Sequence, residues 1–319
     1  MDFKLNLSRK SKLFIFLFFL VIIFALFSII YTHYYYKALK NQGDYLLYKD
    51  IVYDLNNNSD PSYTSLDIYV PDNNTIQKYP VMIYVHGGAW TKYFGNKDQR
   101  GRYIQKGLFY TDNNFILVNV NYRSSPNSNF PVPVQDVTTA IDWVYNNISN
   151  YLGNEAEIYL SGHSAGAQIV SLISTDESYL QKYGLDLNII KGTVLLEGVG
   201  YDLLLPSSLK FDSKLIEMYY NVPFGNDENT YKNASPINHV SKNKNIPPMI
   251  LFVCENSIFR IAKPEAKNFY YKLIKNNVYA RYYVISDRGH SSLNYDFGKE
   301  DDRTSQLTME FIEEIKKLR

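Results

Sequence analysis

Three short stretches carry residue types that could perform acyl-transfer chemistry. In "SGHSAGAQ", Ser164 is flanked by Gly162 and Gly166, the spacing G-x-S-x-G. The stretch follows an apolar, strand-like run and opens a helical one. A sharp turn between the two needs small residues where backbone crowds the elbow. Such a turn presents the serine Oγ at the carboxyl edge of a sheet, and the helix N-terminus behind it favours developing negative charge. The bland alternative is a Gly-Ser turn that merely starts a helix. In "VHGGAW", Gly87 and Gly88 let backbone N–H groups approach a substrate oxygen with no Cβ in the way. With the N–H of Ala165 they are the predicted oxyanion donors, against the plain alternative of a tight turn after a strand. His86 reads as a residue that shapes this loop.

A serine nucleophile needs a base, and the chain has 5 histidines. His33 lies next to the long apolar N-terminal run, His86 and His163 belong to the two glycine-rich stretches, and His239 sits in a polar, proline-containing segment. His290, in "ISDRGHSSL", comes just after the last strand-like run and follows the serine in the chain order Ser, acid, His. Position and elimination make it the predicted general base.

The elements that must hold these groups alternate in the manner of an α/β domain. "YLLYKDIVYDL" and "TSLDIYV" read as two antiparallel opening strands, and "YPVMIYVHGG" and "FILVNVNYR" as buried central ones. Val134, Val137, Ile141, Val144 and Ile148 fall on one helical stripe. The order continues with strand "EIYLSG", a helix from Ala165, strands "GTVLLEG" and "PPMILFVC", helix "PEAKNFYYKLIKN", strand "ARYYVIS" and helix "TSQLTMEFIEEIKKL". That predicts a doubly wound, mostly parallel eight-stranded sheet over residues 45–319. Only 201–245, polar and carrying Pro206, Pro223 and Pro236, breaks the rhythm, and it reads as a small cap-like insertion.

These features together resemble the α/β-hydrolase family, specifically its HGG-containing esterase branch of hormone-sensitive-lipase-like carboxylesterases and kynurenine-formamidase-like enzymes. "HGGAW", "NYR" with Pro126, "FP" followed by "PVQDV", "GHSAGA", "ASPINHV" and "RGH" arrive in family order, over about residues 60–319. The resemblance implies Ser164 as nucleophile, His290 as base, no metal or organic cofactor, and a small-molecule ester as the partner. An acyl-enzyme would form on Ser164 and be released by water. An arylformamidase or sugar deacetylase would use the same machinery.

The resemblance also implies an aspartate in the loop after "PPMILFV", and Ser257 stands there. A serine cannot stabilise an imidazolium as a carboxylate does. Four carboxylates come into question. Asp287 is three residues from His290, Glu197 and Asp202 follow the preceding strand, and Glu255 lies in the correct loop, two residues early. Its side chain is one methylene longer than aspartate, which extends its reach, so Glu255 is the predicted acid. The missing aspartate keeps a non-enzymatic class in view, a degenerate hydrolase that binds a ligand or partner.

The N-terminus adds a location. Leu13 to Ile30 contains one hydroxyl and no charge, and at ~1.5 Å per residue it approaches the ~30 Å of a bilayer core. Lys4, Arg9, Lys10 and Lys12 precede it. Positive-inside bias then predicts a cytoplasmic segment 1–12, a membrane anchor 13–31, a linker 32–44 and an extracytoplasmic domain. A cleaved signal peptide is the alternative, but no A-x-A site follows. With 33 basic and 32 acidic residues, the formal charge of +1 gives no electrostatic case for nucleic acid. A single cysteine, Cys254, excludes an intrachain disulfide.

Overall fold

Residue alternation along the apolar strands builds a sheet with two buried faces. Ile83 in β3 (Tyr79–Val85), Val118 in β4 (Ile116–Val120) and Leu160 in β5 (Gly153–His163) point to one side. There they meet Val137 and Ile141 of α2 (Val132–Asn147), Ile169 of α3 (Ala165–Thr175) and Phe269 of α4 (Ala262–Lys275). Met82, Leu117 and Tyr159, one residue along, point to the other side. They pack with Tyr110 of α1 (Ile104–Asp112) and with Phe311, Ile312 and Ile315 of α6 (Arg303–Lys317). A strand buried on both faces must be apolar throughout, which is why these runs read as continuous rather than alternating.

The computed structural model describes residues 45–54, 60–72, 78–92, 103–205 and 217–319. The chain divides into two units, Met1–Gly43 and Asp44–Arg319, and every described residue lies in the second. The eight strands run in the order β1-β2-β4-β3-β5-β6-β7-β8. Here β1 is Tyr45–Val52, β2 Ser65–Pro71, β6 Ile190–Leu196, β7 Met249–Cys254 and β8 Ala280–Ile285. The opening pair β1–β2 is antiparallel and the sheet mostly parallel, as predicted; β2 is also antiparallel to β4, and the remaining pairs are parallel.

Three features depart from the sequence reading or lie beyond it. Helix α1 was not anticipated; its sequence "IQKGLFYTD" mixes glycine, threonine and buried lysine and shows a blurred stripe. A short helix α5 (His290–Tyr295) begins at the predicted base itself, where a loop was expected. The predicted basic segment 1–12, anchor 13–31 and linker 32–44 lie outside the described residues. Among the described residues, no helix is long and apolar enough to cross a membrane. The described part of the insertion includes a π-helical turn at Glu217–Asn221 and short helices at Val222–Phe224, Glu228–Ala234 and Pro236–His239.

Candidate active site

Strand β5 ends at His163 and α3 begins at Ala165, so Ser164 alone makes the turn. Its backbone sits at φ 54° and ψ −120°, a conformation L residues rarely adopt, which costs on the order of 1–3 kcal/mol. The surrounding structure holds it there: Ser164 N–H donates to the Leu196 carbonyl of β6 at 3.0 Å. A Cβ on Gly166 would come within 2.2 Å of the Val85 carbonyl oxygen, so the helix can approach β3 this closely only with glycine there.

The HGG loop lies against this elbow. A Cβ on Gly87 would stand 2.9 Å from both the His163 carbonyl oxygen and its Nδ1, and 3.0 Å from Ser164 Cβ. Gly88, Ala89 and Trp90 all have positive φ, and the turn closes with Thr91 N–H donating to the Gly88 carbonyl at 2.9 Å. Trp90 Nε1–H donates to Gln168 Oε1 at 2.8 Å, and Gln168 Nε2 donates to the Ala234 carbonyl at 2.7 Å. One buried glutamine of α3 therefore ties the loop to the insertion. Ala165 opens α3, where a first-turn N–H has no acceptor within its own helix. Gly87 and Ala165 thus border Ser164 directly, and Gly88 follows Gly87 in the same loop. His86 is buried, stacked on Tyr122 at 4.5 Å, with Nε2 3.0 Å from Asn121 Oδ1. It shapes the loop rather than facing the serine.

His290 is the first residue of α5, capped by Gly289, whose N–H donates to Ser292 Oγ at 2.9 Å. The far end of α5 is pinned from two other elements. Tyr84 Oη donates to Asn294 Oδ1 at 2.6 Å, and the buried Lys106 of α1 donates to the Asn294 carbonyl. A cation at a helix C-terminus is favourable, although burial lowers this lysine to about 7. His163 braces the helix start: its Nε2–H donates to the His290 carbonyl at 2.9 Å, with the two rings 4.6 Å apart. Burial, and then the neighbouring His290, keep His163 neutral by pushing its pKa well below 6.5. The sequence did not disclose this bracing role, because the histidine lay inside a motif already accounted for by the serine.

Two contacts of a catalytic triad are not closed. No hydrogen bond joins Ser164 to the His290 ring, and His290 Nδ1 is buried without a partner. Burial alone accordingly lowers His290 to about 4. The structure does not bring Glu255 to His290: its side chain is exposed, and its N–H donates to the Ile285 carbonyl of β8 at 2.8 Å. Asp287 turns to Arg288, 2.8 Å away, and Asp202 Oδ1 accepts the Leu204 N–H at 3.1 Å. Catalytic contacts are commonly loose without substrate, so the Ser164–His290 gap does not argue against the pair.

The motifs outside the site serve to hold it. Arg123 of "NYR" clamps Asp136 of "PVQDV", with Nε and the backbone N–H each 2.9 Å from Oδ2. This locks the turn after β4 onto α2 and fixes Ser125, whose N–H donates to the Trp90 carbonyl at 2.8 Å. Trp90, Phe130, Val134, Pro223 and Phe224 pack together as an apolar cluster beside the HGG loop.

Comparison with known proteins agrees with this architecture. The chain is 32% identical over 176 residues to the kynurenine formamidase of Salmo salar, covering 54% of this chain and 50% of that protein. It is 28% identical over 245 residues to the isoprenylcysteine alpha-carbonyl methylesterase ICME of Arabidopsis thaliana, covering 72% and 54%. The chain thus spans about half the length of the curated relatives it matches. Inhibited esterase B from Lactobacillus rhamnosis superposes with a TM-score of 0.70 at 18% identity, covering 93% of this chain and 97% of that one. A truncated carbohydrate esterase from gut microbiota gives 0.71 at 18%, covering 86% and 98%. At such identity these two structures speak for the fold alone. The BD-FAE family model matches residues 66–259, more than half of the chain and the whole span from β2 through the β7 loop, and the protein belongs to this family of α/β-hydrolases.

Proposed function

We propose that the protein is a serine esterase that hydrolyses small or medium carboxylic esters through an acyl-enzyme on Ser164. The observation that carries this reading is the strained, tightly held Ser164 elbow with the HGG loop packed directly against it. Holding a serine at positive φ has a cost, and such strain persists where the geometry is used. Ser164 Oγ attacks the ester carbonyl while His290 Nε2 takes its proton, and the N–H groups of Gly87, Gly88 and Ala165 receive the oxyanion. His290 then returns the proton to the departing alcohol, and water releases the acid by the same steps in reverse order. Likeness to the Salmo salar kynurenine formamidase supports a second substrate class, aryl formamides, on the same groups.

A p-nitrophenyl ester series of increasing acyl length, with an aryl formamide alongside, tests this reading. Ester turnover is expected for short acyl chains, and Ser164→Ala and His290→Ala should each abolish it. The double variant should be hardly worse than either, because the two residues act as a unit. Activity that survives Ser164→Ala would remove the covalent mechanism.

A further inference from the structure

One buried carboxylate near the site has no role so far. Glu197 immediately follows β6, is fully buried and has a φ of 45°. Its N–H donates to the Phe252 carbonyl of β7 at 2.8 Å, and its Oε2 accepts the Cys254 N–H at the end of that strand. Its other oxygen, Oε1, is buried with no hydrogen bond of regular geometry. A carboxylate in an apolar strand end is costly, and half of its acceptor capacity is unused.

Across from it stands the loop that follows β7. Ser257 Oγ accepts the Phe259 N–H at 3.0 Å, and the Phe259 ring packs edge-on against His290 with centroids 4.5 Å apart. Ser257 is therefore held in the loop that covers the imidazole. Burial raises the Glu197 carboxyl above its ordinary range, and the Ser257 hydroxyl is foremost among the groups that oppose the rise, ahead of the Cys254 N–H and thiol. Two buried groups thus lack a regular partner, Nδ1 of His290 and Oε1 of Glu197, and the Ser257 hydroxyl lies against Glu197 in the loop whose Phe259 packs on His290. A serine hydroxyl donates once and accepts twice. With Phe259 N–H as one donor to it, one lone pair and the proton remain.

We propose that Glu197 is the acid that positions His290, acting through the Ser257 hydroxyl, which stands where a carboxylate is otherwise expected. Ser257 O–H donates to Glu197 Oε1, and Ser257 Oγ accepts the proton of His290 Nδ1–H. Every hydrogen-bonding atom in the chain is then satisfied, the imidazole is fixed with Nε2 free to face Ser164, and the imidazolium formed during acylation is stabilised at one remove. The other carboxylates are disposed elsewhere: Asp287 on Arg288, Asp202 in its own turn and Glu255 in solvent. The titratable groups facing this chain are His163 beside His290, Cys254, Tyr201 and Tyr282 beside Glu197, and Asp287 beside Cys254. Glu197 is a positioning residue, and this assignment rests on the serine-esterase reading above.

The test uses the full-length chain with p-nitrophenyl acetate, measuring kcat, KM and the pH profile of kcat/KM. Glu197→Gln should lower kcat by at least ~10²-fold, toward the ~10⁴-fold seen when a triad acid is neutralised, with KM nearly unchanged. Because a carboxylate raises the pKa of the histidine it supports, the acid limb of the profile should also move to lower pH by about one unit or more. Ser257→Ala should shift rate and limb in the same directions. Ser257→Asp placed in the Glu197→Gln background should recover at least ~10-fold, by supplying a carboxylate directly. Full activity with an unmoved limb in Glu197→Gln or Ser257→Ala would overturn the proposal. So would a loss equal at every pH that Ser257→Asp does not relieve, which is the signature of a merely structural glutamate. Should Glu197→Gln not fold, Ser257→Ala, in a partly exposed loop, decides the matter alone. Persistent activity in Ser164→Ala would instead remove the serine mechanism and this proposal with it.

Discussion

At the residue scale, the site depends on how little room lies between the HGG loop and the elbow. Gly87 has no space for a methyl group: its Cβ would meet the His163 carbonyl and ring and the Ser164 Cβ at 2.9–3.0 Å. All three are fixed, the His163 carbonyl as part of β5, its ring by its hydrogen bond to the His290 carbonyl and Ser164 by its N–H bond to the Leu196 carbonyl, so the loop must yield. Gly87→Ala should therefore withdraw an oxyanion donor and lower kcat by ~10²-fold or more, while circular dichroism and KM change little. Steady-state kinetics on a short ester checks this, and near-normal kcat would place the oxyanion donors elsewhere. The Ser164 elbow, the HGG loop against it and a candidate base in His290 were legible in the sequence because a tight turn admits few residue types and the histidines are few. The proposed acid was legible only as one of four carboxylates: Glu197 follows a strand in "VLLEG", and only the three-dimensional neighbourhood shows its oxygen without a regular partner near Ser257. The signal available was the charge itself, a lone acid in an otherwise apolar run.

At the element scale, a second buried acid links the region after β6 to α4. Glu265 is fully buried on α4, and its Oε2 accepts the Gly200 N–H at 2.5 Å. Burial pushes its pKa well above 4.5, opposed first by that N–H. The folded protein therefore keeps a proton that the unfolded chain releases near 4.5. This contribution to stability is fully present below that value and is lost as pH rises through the folded pKa. Glu265→Gln keeps the shape and the acceptor for Gly200 but carries no charge at any pH. Urea midpoints should be similar for both proteins near pH 4, and at pH 8 the variant should be the more stable by about 1 kcal/mol or more. Equal pH dependence in the two proteins would show that Glu265 is ionised in the fold. Elements with strong patterns, the eight strands and α2, α3, α4 and α6, could be read from sequence alone. Helices α1 and α5 could not, since α1 buries a lysine against aromatic rings and α5 is six residues long, held by contacts from distant strands.

At the scale of the whole molecule, the α/β domain and the apolar N-terminal run make separate claims. We propose that Leu13 to Ile30 anchors the chain with its domain outside the cytoplasm, on the strength of the uncharged run and the basic residues before it. The full-length chain should stay with membranes after a carbonate wash, and external protease should digest the domain. A soluble product beginning beyond residue 27 would establish cleavage instead. The enzymatic claim turns on whether Ser164 is an activated nucleophile, and a fluorophosphonate probe reports this directly because it phosphonylates only such a serine. Peptide mapping of the labelled wild-type chain should find the adduct on Ser164 alone, with labelling lost in Ser164→Ala and greatly slowed in His290→Ala. A folded wild-type chain that takes up no probe, or carries it elsewhere, would contradict the account and leave a hydrolase fold used for binding.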